Sequence, residues 1–365
     1  MNSKSYQFVL DDAARVAAAI KLDELKNKRV LLAGANGLLG FYLASLFHYL
    51  NGQGWNISAD LLTKSPITPA SRIFPLSGAQ GFTFIQRDLS QPTAYETRYD
   101  YVIHSAGYAA PSVFLQDPFN VMDVNYIGLK SMLESCVAAN PKVKILYLSS
   151  SEIYGSPPVQ QIPTPETYEG NGSIFNNRAC YIESKRLCEV LALNAREKQH
   201  VAITIARPAL SYGPGMTLDD KRVIAQFMKK ALEKKKIDMI DDGSDTRCFC
   251  YMSDVTRQLV SILLKGRDAI YNVGSAEEEI SIRQLADIIA QLSSATVKPG
   301  PRKTADVAGA PNRVKLNLAK IQDEFGLKPE VSMKDGLKRT IDWNLALMKE
   351  QEEASKFKKA LIRSV

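Results

Sequence analysis

A doubly wound α/β fold, with a parallel sheet covered by helices on both faces and a smaller C-terminal substrate-binding domain, is predicted by three features of the chain. Short apolar segments at 28–33, 55–62, 82–87, 101–104, 144–149 and 202–206 alternate with helical stretches such as 38–50, 121–139 and 179–197. That alternation is the signature of βαβ units whose strands are buried on both sides. The first strand runs into a glycine-rich turn, Gly34-Ala-Asn-Gly37-Leu-Leu-Gly40, and then into a helix, the context in which such a turn holds a dinucleotide. After Arg207 the alternation gives way to irregular Pro- and Gly-rich segments, which read as a lid over the C-terminal edge of the sheet.

Taken in order, residues 1–27 read as an amphipathic helical extension, with Ala13, Val16, Ala17 and Ile20 at helical spacing. It is placed to cap the fold or to join a dimer. Residues 28–206 form the Rossmann-type dinucleotide-binding domain, to which a segment at about 245–273 returns. Between its second and third strands lies an unusual insertion at 66–81, rich in Pro, Ser and Gly. Residues 207–244 and 274–345 are assigned to the smaller substrate-binding domain. It carries Tyr212-Gly-Pro-Gly215, a basic helix, a strand near 236–240 and Gly243-Ser-Asp-Thr-Arg247. Residues 346–365 read as a basic helical tail.

With 45% hydrophobic and 23% charged residues in 365, the composition is that of a folded globular protein. No apolar run approaches the ~20 residues that cross a bilayer, and the N-terminus lacks a signal peptide's layout, so the expected location is the cytoplasm. Five cysteines with no CxxC pair, and His48, His104 and His200 scattered along the chain, point to reduced thiols and to no metal site. Much of the net charge of +7 sits in Lys229 to Lys236 and in the tail, which read as solvated helix faces. RNA binding is the alternative for these segments, and binding that weakens with salt is its mark. A modest positive field also attracts an anionic nucleotide-sugar.

Two motifs carry the chemistry. In the glycine turn, Gly34, Gly37 and Gly40 permit a tight bend, close approach to a pyrophosphate and close helix packing, while the helix N-terminus at Leu38 and Leu39 supplies unpaired N–H groups. With Asn36, these residues are the expected cofactor loop, joined by Ser105, Ala106 and Gly107 after the fourth strand and by Asp88 and Leu89 after the third. Asp88 is placed either to meet the adenine amino group or to cap a helix. Asp60 falls inside the second strand and Thr63-Lys64-Ser65 at its exit, so the choice between NAD and NADP stays open, because an acidic residue there selects NAD and a cation tolerates a 2′-phosphate. The second motif is Tyr181-Ile-Glu-Ser-Lys185. Four residues apart on a helix, the two side chains share a face, and the ammonium is expected to draw the phenol pKa down, making Tyr181 a base. Ser149-Ser150-Ser151-Glu152 follows a buried strand, so its hydroxyls and carboxylate emerge beside the nicotinamide.

From about Lys28 to Asn344 the chain resembles the extended short-chain dehydrogenase/reductases, in their nucleotide-sugar epimerase, dehydratase and decarboxylase group. The local likeness is greatest to UDP-glucuronate decarboxylase, in Arg178-Ala-Cys-Tyr181-Ile-Glu-Ser-Lys185-Arg186, Ser150-Ser151-Glu152, Ala109-Ala-Pro111, Gly215-Met-Thr-Leu-Asp-Asp-Lys-Arg222 and Asp245-Thr-Arg247. The resemblance implies an NAD-dependent enzyme that oxidises a sugar transiently at C4. Tyr181 takes the C4 hydroxyl proton, Lys185 supports it and holds the nicotinamide ribose, and Ser150 orients the C4 oxygen. Ser151, Glu152, Arg222 and Arg247 contact substrate, Glu152 beside the sugar carboxylate and Arg247 near that reaction centre or the diphosphate. Asn125 matches a structural asparagine, and the apolar faces of 121–139 and 179–197 match the helices of a homodimer. Where dehydratases place an Asp-Glu pair this chain has Ser151-Glu152, which argues against dehydration. Leu210 stands where the family commonly has Asn. The readings that follow are a UDP-glucuronate decarboxylase-like enzyme, a 4-epimerase or 4,6-dehydratase, and a non-catalytic dinucleotide-binding protein.

Overall fold

Seven parallel strands form the centre of the computed structural model, which describes residues 3–108, 115–275, 279–301 and 313–363. Six of them come from the first part of the chain: β1 (Arg29–Ala33), β2 (Ser58–Thr63), β3 (Phe82–Gln86), β4 (Tyr101–His104), β5 (Lys144–Leu148) and β6 (Ala202–Pro208). After β7 (Leu210–Tyr212), β8 (Lys236–Asp238), β9 (Thr246–Arg247) and β10 (Phe249–Tyr251), the chain returns as β11 (Ile270–Val273) beside β6. The spatial order is β11-β6-β5-β4-β1-β2-β3. It reverses direction between β1 and β4, and at such a switch point the diverging loops open a crevice beyond the strands' C-terminal ends.

Helices cover both faces because β1, β2, β4 and β5 are buried on both. Leu32, Leu61, Ile103 and Leu146 point to one side, into a core shared with α1 (Lys4–Ala19) and α2 (Leu38–Asn51). Leu31, Leu62, Val102 and Ile145 point to the other, against α3 (Pro118–Ala139) and α4 (Ala179–Gln199). A third core lies beyond the sheet, between α5 (Val223–Lys234), the strand pairs β7–β10 and β8–β13, and later helices. α6 (Met252–Lys265) packs on the first face, and α7 (Ile282–Ser293), β12 (Ile280–Ser281), β13 (Thr296–Lys298), β14 (Arg313–Val314), α8 (Ala319–Phe325) and α9 (Met333–Arg363) complete the chain.

The N-terminal extension is a capped helix. The Ser3 hydroxyl accepts from the Tyr6 amide at 3.1 Å, satisfying an otherwise orphaned donor, and Tyr6, Val9, Ala13 and Val16 are buried. Asp12, completely buried, accepts hydrogen bonds from Tyr42 (2.9 Å), Tyr251 (2.7 Å) and Arg339 (2.9 Å). That single carboxylate joins α1, α2, β10 and α9. The expected tail helix is the continuation of α9.

Three expected features differ in detail. β2 starts at Ser58 rather than at residue 55, because Asn56 is in the left-handed region at φ 56° and turns the chain. The strand expected near 236–240 stops at Asp238, where its partner β13 ends. The insertion at 66–81 is anchored: Ile73 and Leu76 are completely buried, around a short 3-10 turn at Phe74–Leu76.

Candidate active site

Two cavities open at the C-terminal edge of the sheet. The first, of about 420 Å³, lies at the β1–β4 switch point and is lined by Gly34, Asn36 and Gly37 with Asp88, Ser105 and Gly107. Its shape depends on missing side chains. Gly34 has φ +80°, and a Cβ there would lie 2.6 Å from the Ala106 nitrogen; at Gly40 it would lie 2.2 Å from the Gly34 carbonyl oxygen. Gly37 is the N-cap of α2 with no side-chain hydrogen bond, leaving the amides of the first turn, at Leu38 and Leu39, and the positive end of the helix dipole for an anion. These features fit the pyrophosphate of a dinucleotide. Leu89, buried, forms part of the wall.

At the far end, Asp88 accepts from the amide (3.0 Å) and hydroxyl (2.8 Å) of Ser90. These bonds, the backbone one foremost, hold its carboxyl below the usual range. It caps a tight turn rather than a helix. Lys64 stands 3.6 Å from Asp88 and donates to the Tyr108 hydroxyl at 3.0 Å. Asp60 is turned away from the cavity, paired with Arg29 (3.2 Å) and accepting from Tyr99 (2.6 Å). The Ser105 hydroxyl donates to the Ala33 carbonyl at 2.6 Å, fixing the start of the loop that ends in Gly107.

Tyr181 and Lys185, one turn apart on α4, are both buried. The expected effect of one on the other is not what the geometry gives. The Lys185 ammonium donates to the Leu148 carbonyl at 2.8 Å and lies 5.9 Å from the centre of the Tyr181 ring. Burial pushes the Tyr181 phenol well above its usual pKa, with the Ser150 hydroxyl opposing. Burial also lowers Lys185 to about 8, because the charged form of each group is the one that loses hydration. Lys185 lies beneath the loop that follows β4: a Cβ on Gly107 would stand 3.4 Å from its Nζ. Asn125, on α3, donates to the Ser184 hydroxyl at 2.9 Å, which donates to the Tyr181 carbonyl, so this amide braces α4 against α3.

The second cavity, of about 490 Å³, is lined by Ser151, Glu152, Arg178, Leu210, Arg222 and Arg247 among others. Ser150 caps the short 3-10 turn at Ser151–Tyr154, its hydroxyl accepting from the Glu152 amide at 3.2 Å. That turn aims Glu152 into the cavity. Its carboxylate pairs with Arg178 at 2.9 Å, while burial raises its pKa against the pull of Arg178 and, more weakly, Arg247. Arg247 itself sits 3.6 Å from Asp245 and donates to the Thr246 carbonyl at 2.8 Å. Arg222 pairs with Asp220 at 2.7 Å and donates to the Ser211 carbonyl.

The structure thus brings Ser150, Tyr181 and Lys185 together and sets Glu152, Arg222 and Arg247 in the lining of one cavity. Arg178 is the group that sequence reasoning left out of the site. Its signal was its place three residues before Tyr181, which puts it at the start of the same helix. The departure at Leu210 is accommodated locally: Arg207 turns inward, onto Glu189 (2.6 Å) and the Tyr154 hydroxyl (2.8 Å), and Leu210 lines the cavity instead. Ala109-Ala-Pro111 lies outside the described residues.

A family model for the NAD dependent epimerase/dehydratase family matches residues 30–274. Over 330 residues the chain is 28% identical to UDP-glucuronic acid decarboxylase 1 of Arabidopsis thaliana, covering 90% of this chain and 72% of that protein. It is 29% identical over 324 residues to UDP-glucuronic acid decarboxylase 1 of Xenopus tropicalis, covering 88% and 73%. Among solved structures, the UDP-glucose 4-epimerase of Thermotoga maritima with UDP-glucose aligns with a TM-score of 0.75 at 22% identity, over 88% of this chain and 99% of that one. A dTDP-glucose 4,6-dehydratase of Bacillus anthracis in complex with NAD gives 0.71 at 22%, over 87% and 96%. At these identities the two structures establish the fold.

Proposed function

Since the chain belongs to the NAD-dependent epimerase/dehydratase family, we propose that it decarboxylates a nucleotide-linked uronic acid, UDP-glucuronate being the first candidate, through transient oxidation at C4. The observation that carries this reading is Glu152, held by Arg178 beside Arg247 in the sugar-side cavity. A neutral hexose offers these arginines nothing to neutralise, whereas a C5 carboxylate entering beside Glu152 needs cations, because two carboxylates cannot share a site cheaply.

NAD, held by the glycine turn and the first turn of α2, would supply the hydride acceptor for C4 and the hydride returned at the end. Tyr181 takes the C4 hydroxyl proton as phenolate, a form that burial opposes and that the positive charges of Lys185 and of an oxidised nicotinamide would favour, and Ser150, hydrogen-bonded to that phenol, orients the C4 oxygen. Lys185 adds positive charge beneath the pair. A ketone at C4 is β to the C5 carboxylate, so carbon dioxide leaves into an enolate, which is then protonated at C5. Arg178 and Arg247 hold the carboxylate until it departs, and Arg222 faces the diphosphate. Purified protein incubated with UDP-glucuronate should release carbon dioxide and a UDP-pentose, followed by mass spectrometry. Inversion at C4 or dehydration of a neutral hexose nucleotide, with no carbon dioxide from any uronate, would replace this reading by the epimerase or dehydratase one.

Two finer proposals accompany it. Leu187 and Val190 lie exposed on α4, and burying them against a second copy is favourable at ~25 cal/mol per Å², so the chain is proposed to act as a homodimer; light scattering at micromolar concentration tests this. Among the described residues no helix is long and apolar enough to cross a membrane, and a set of five cysteines with no CxxC pair, four of them buried, suits the reducing cytoplasm.

A further inference from the structure

The insertion at 66–81 has a use that the proposed chemistry does not assign. Its Arg72 reaches over the glycine turn: Nη1 donates to the Asn36 carbonyl at 2.5 Å, and Nε donates to the Gly215 carbonyl at 2.7 Å. The neighbouring Ile73 amide donates to the Asn36 side-chain oxygen at 3.1 Å, so Asn36 is gripped at both its backbone and its side chain. Gly215, at φ +95°, brings its backbone against Leu38 and Phe41 of α2 and the Arg72 stem; a Cβ there would meet Leu38 at 3.0 Å and Arg72 at 3.4 Å. Gly215 opens the segment that continues to Asp220 and Arg222 on the sugar side. One guanidinium thus ties the cofactor loop to the substrate loop, and the completely buried Ile73 and Leu76 anchor it in the core.

Charge gives the tie a direction. The two hydrogen bonds named go to neutral carbonyls, and the nearby Asp220 is already paired with Arg222. Burial, foremost, and the approach of Arg222 act against the Arg72 cation, and the attraction of Asp220 opposes them. The guanidinium is spent on two loop carbonyls, so it acts on the glycine turn, which is built to hold a diphosphate, by fixing its backbone. A planar fork bridging two carbonyls is also a geometry that lysine cannot reproduce.

We propose that Arg72 is a positioning residue that locks the glycine turn over a bound dinucleotide, so that NAD would stay in place between accepting the hydride and returning it. The proposal rests on NAD binding at this turn but not on the identity of the sugar. The test is the dissociation rate of NAD from the loaded protein, by dilution into excess unlabelled NAD, for wild type, Arg72→Ala and Arg72→Lys. Both variants are expected to lose NAD at least about tenfold faster, the loss of one charged hydrogen bond being about 1.5 kcal/mol or more. With saturating NAD, KM for the cofactor should rise while kcat stays near wild type. Wild-type dissociation rates in both variants would overturn the proposal, as would a fall in kcat that excess NAD does not restore. Arg72→Lys, which keeps the charge and most of the stem, serves if Arg72→Ala does not fold.

Discussion

The two cavities are built by opposite means. Around the dinucleotide the decisive features are backbone: Gly34, Gly37 and Gly40 make room, and the first turn of α2 offers its amides. Around the sugar they are side chains, Glu152, Arg178, Arg222 and Arg247, drawn from a 3-10 turn, the start of α4, the start of α5 and β9. A backbone site recognises what every family member shares, a pyrophosphate. A side-chain site can be altered one residue at a time, and Leu210, which departs from the family pattern, lies in the lining of this one.

Tyr181, buried and hydrogen-bonded to Ser150, is the proposed base, and its loss should have the largest effect. Tyr181→Phe removes the proton acceptor and is expected to lower kcat by about 10²–10⁴-fold with NAD still bound, read by turnover and by the dinucleotide released on denaturation. Equal loss of bound NAD would mean that the phenol belongs to the cofactor site instead. Gly40→Ala attacks the backbone site alone. Its Cβ would overlap the Gly34 carbonyl oxygen at 2.2 Å, and strain of about 1–3 kcal/mol should weaken NAD binding by roughly ten- to a hundredfold, measured by calorimetry.

Arg178→Ala attacks the side-chain site alone. The pair with Glu152 is partly exposed, which discounts its strength, so turnover of a uronate nucleotide should fall by roughly tenfold while NAD affinity is unchanged. A matching loss of NAD affinity would erase the distinction between the cavities. The smallest effect is expected from pH. Lys185, lowered to about 8 by burial, should lose its charge above that pH, and turnover should fall there with it. Stability moves the other way: the unfolded lysine keeps its proton up to about 10.5, so between these values the unfolded chain binds more protons and this group favours the fold increasingly as pH rises. Denaturant midpoints of wild type relative to Lys185→Met should therefore climb across that window, and a flat difference would count against the shift.

Much of this was legible beforehand for reasons that differ between the regions. The strand, glycine turn and helix are contiguous in the chain, so their spacing carries their geometry. Tyr181 and Lys185 are likewise one turn apart, and their placement followed from helical period alone. Their electrostatics did not: the expected lowering of the phenol assumed an ammonium at its oxygen, whereas Lys185 is spent on the Leu148 carbonyl. Arg72 was invisible for a similar reason, since its partners Asn36 and Gly215 lie far from it in the chain.

What the sequence determined by itself is whatever depends on local period and on residues too small to be replaced: the parallel α/β layering, the dinucleotide turn, the shared helix face of Tyr181 and Lys185, and the family. Tertiary structure alone decided which charge meets which. It paired Glu152 with Arg178 more closely than with Arg247, turned Asp60 away from the cofactor cavity and Arg207 away from the sugar, and closed the insertion over the glycine turn. Hydrophobic period is a property of neighbours along the chain, whereas a salt bridge depends on a few ångströms between residues that only folding brings together.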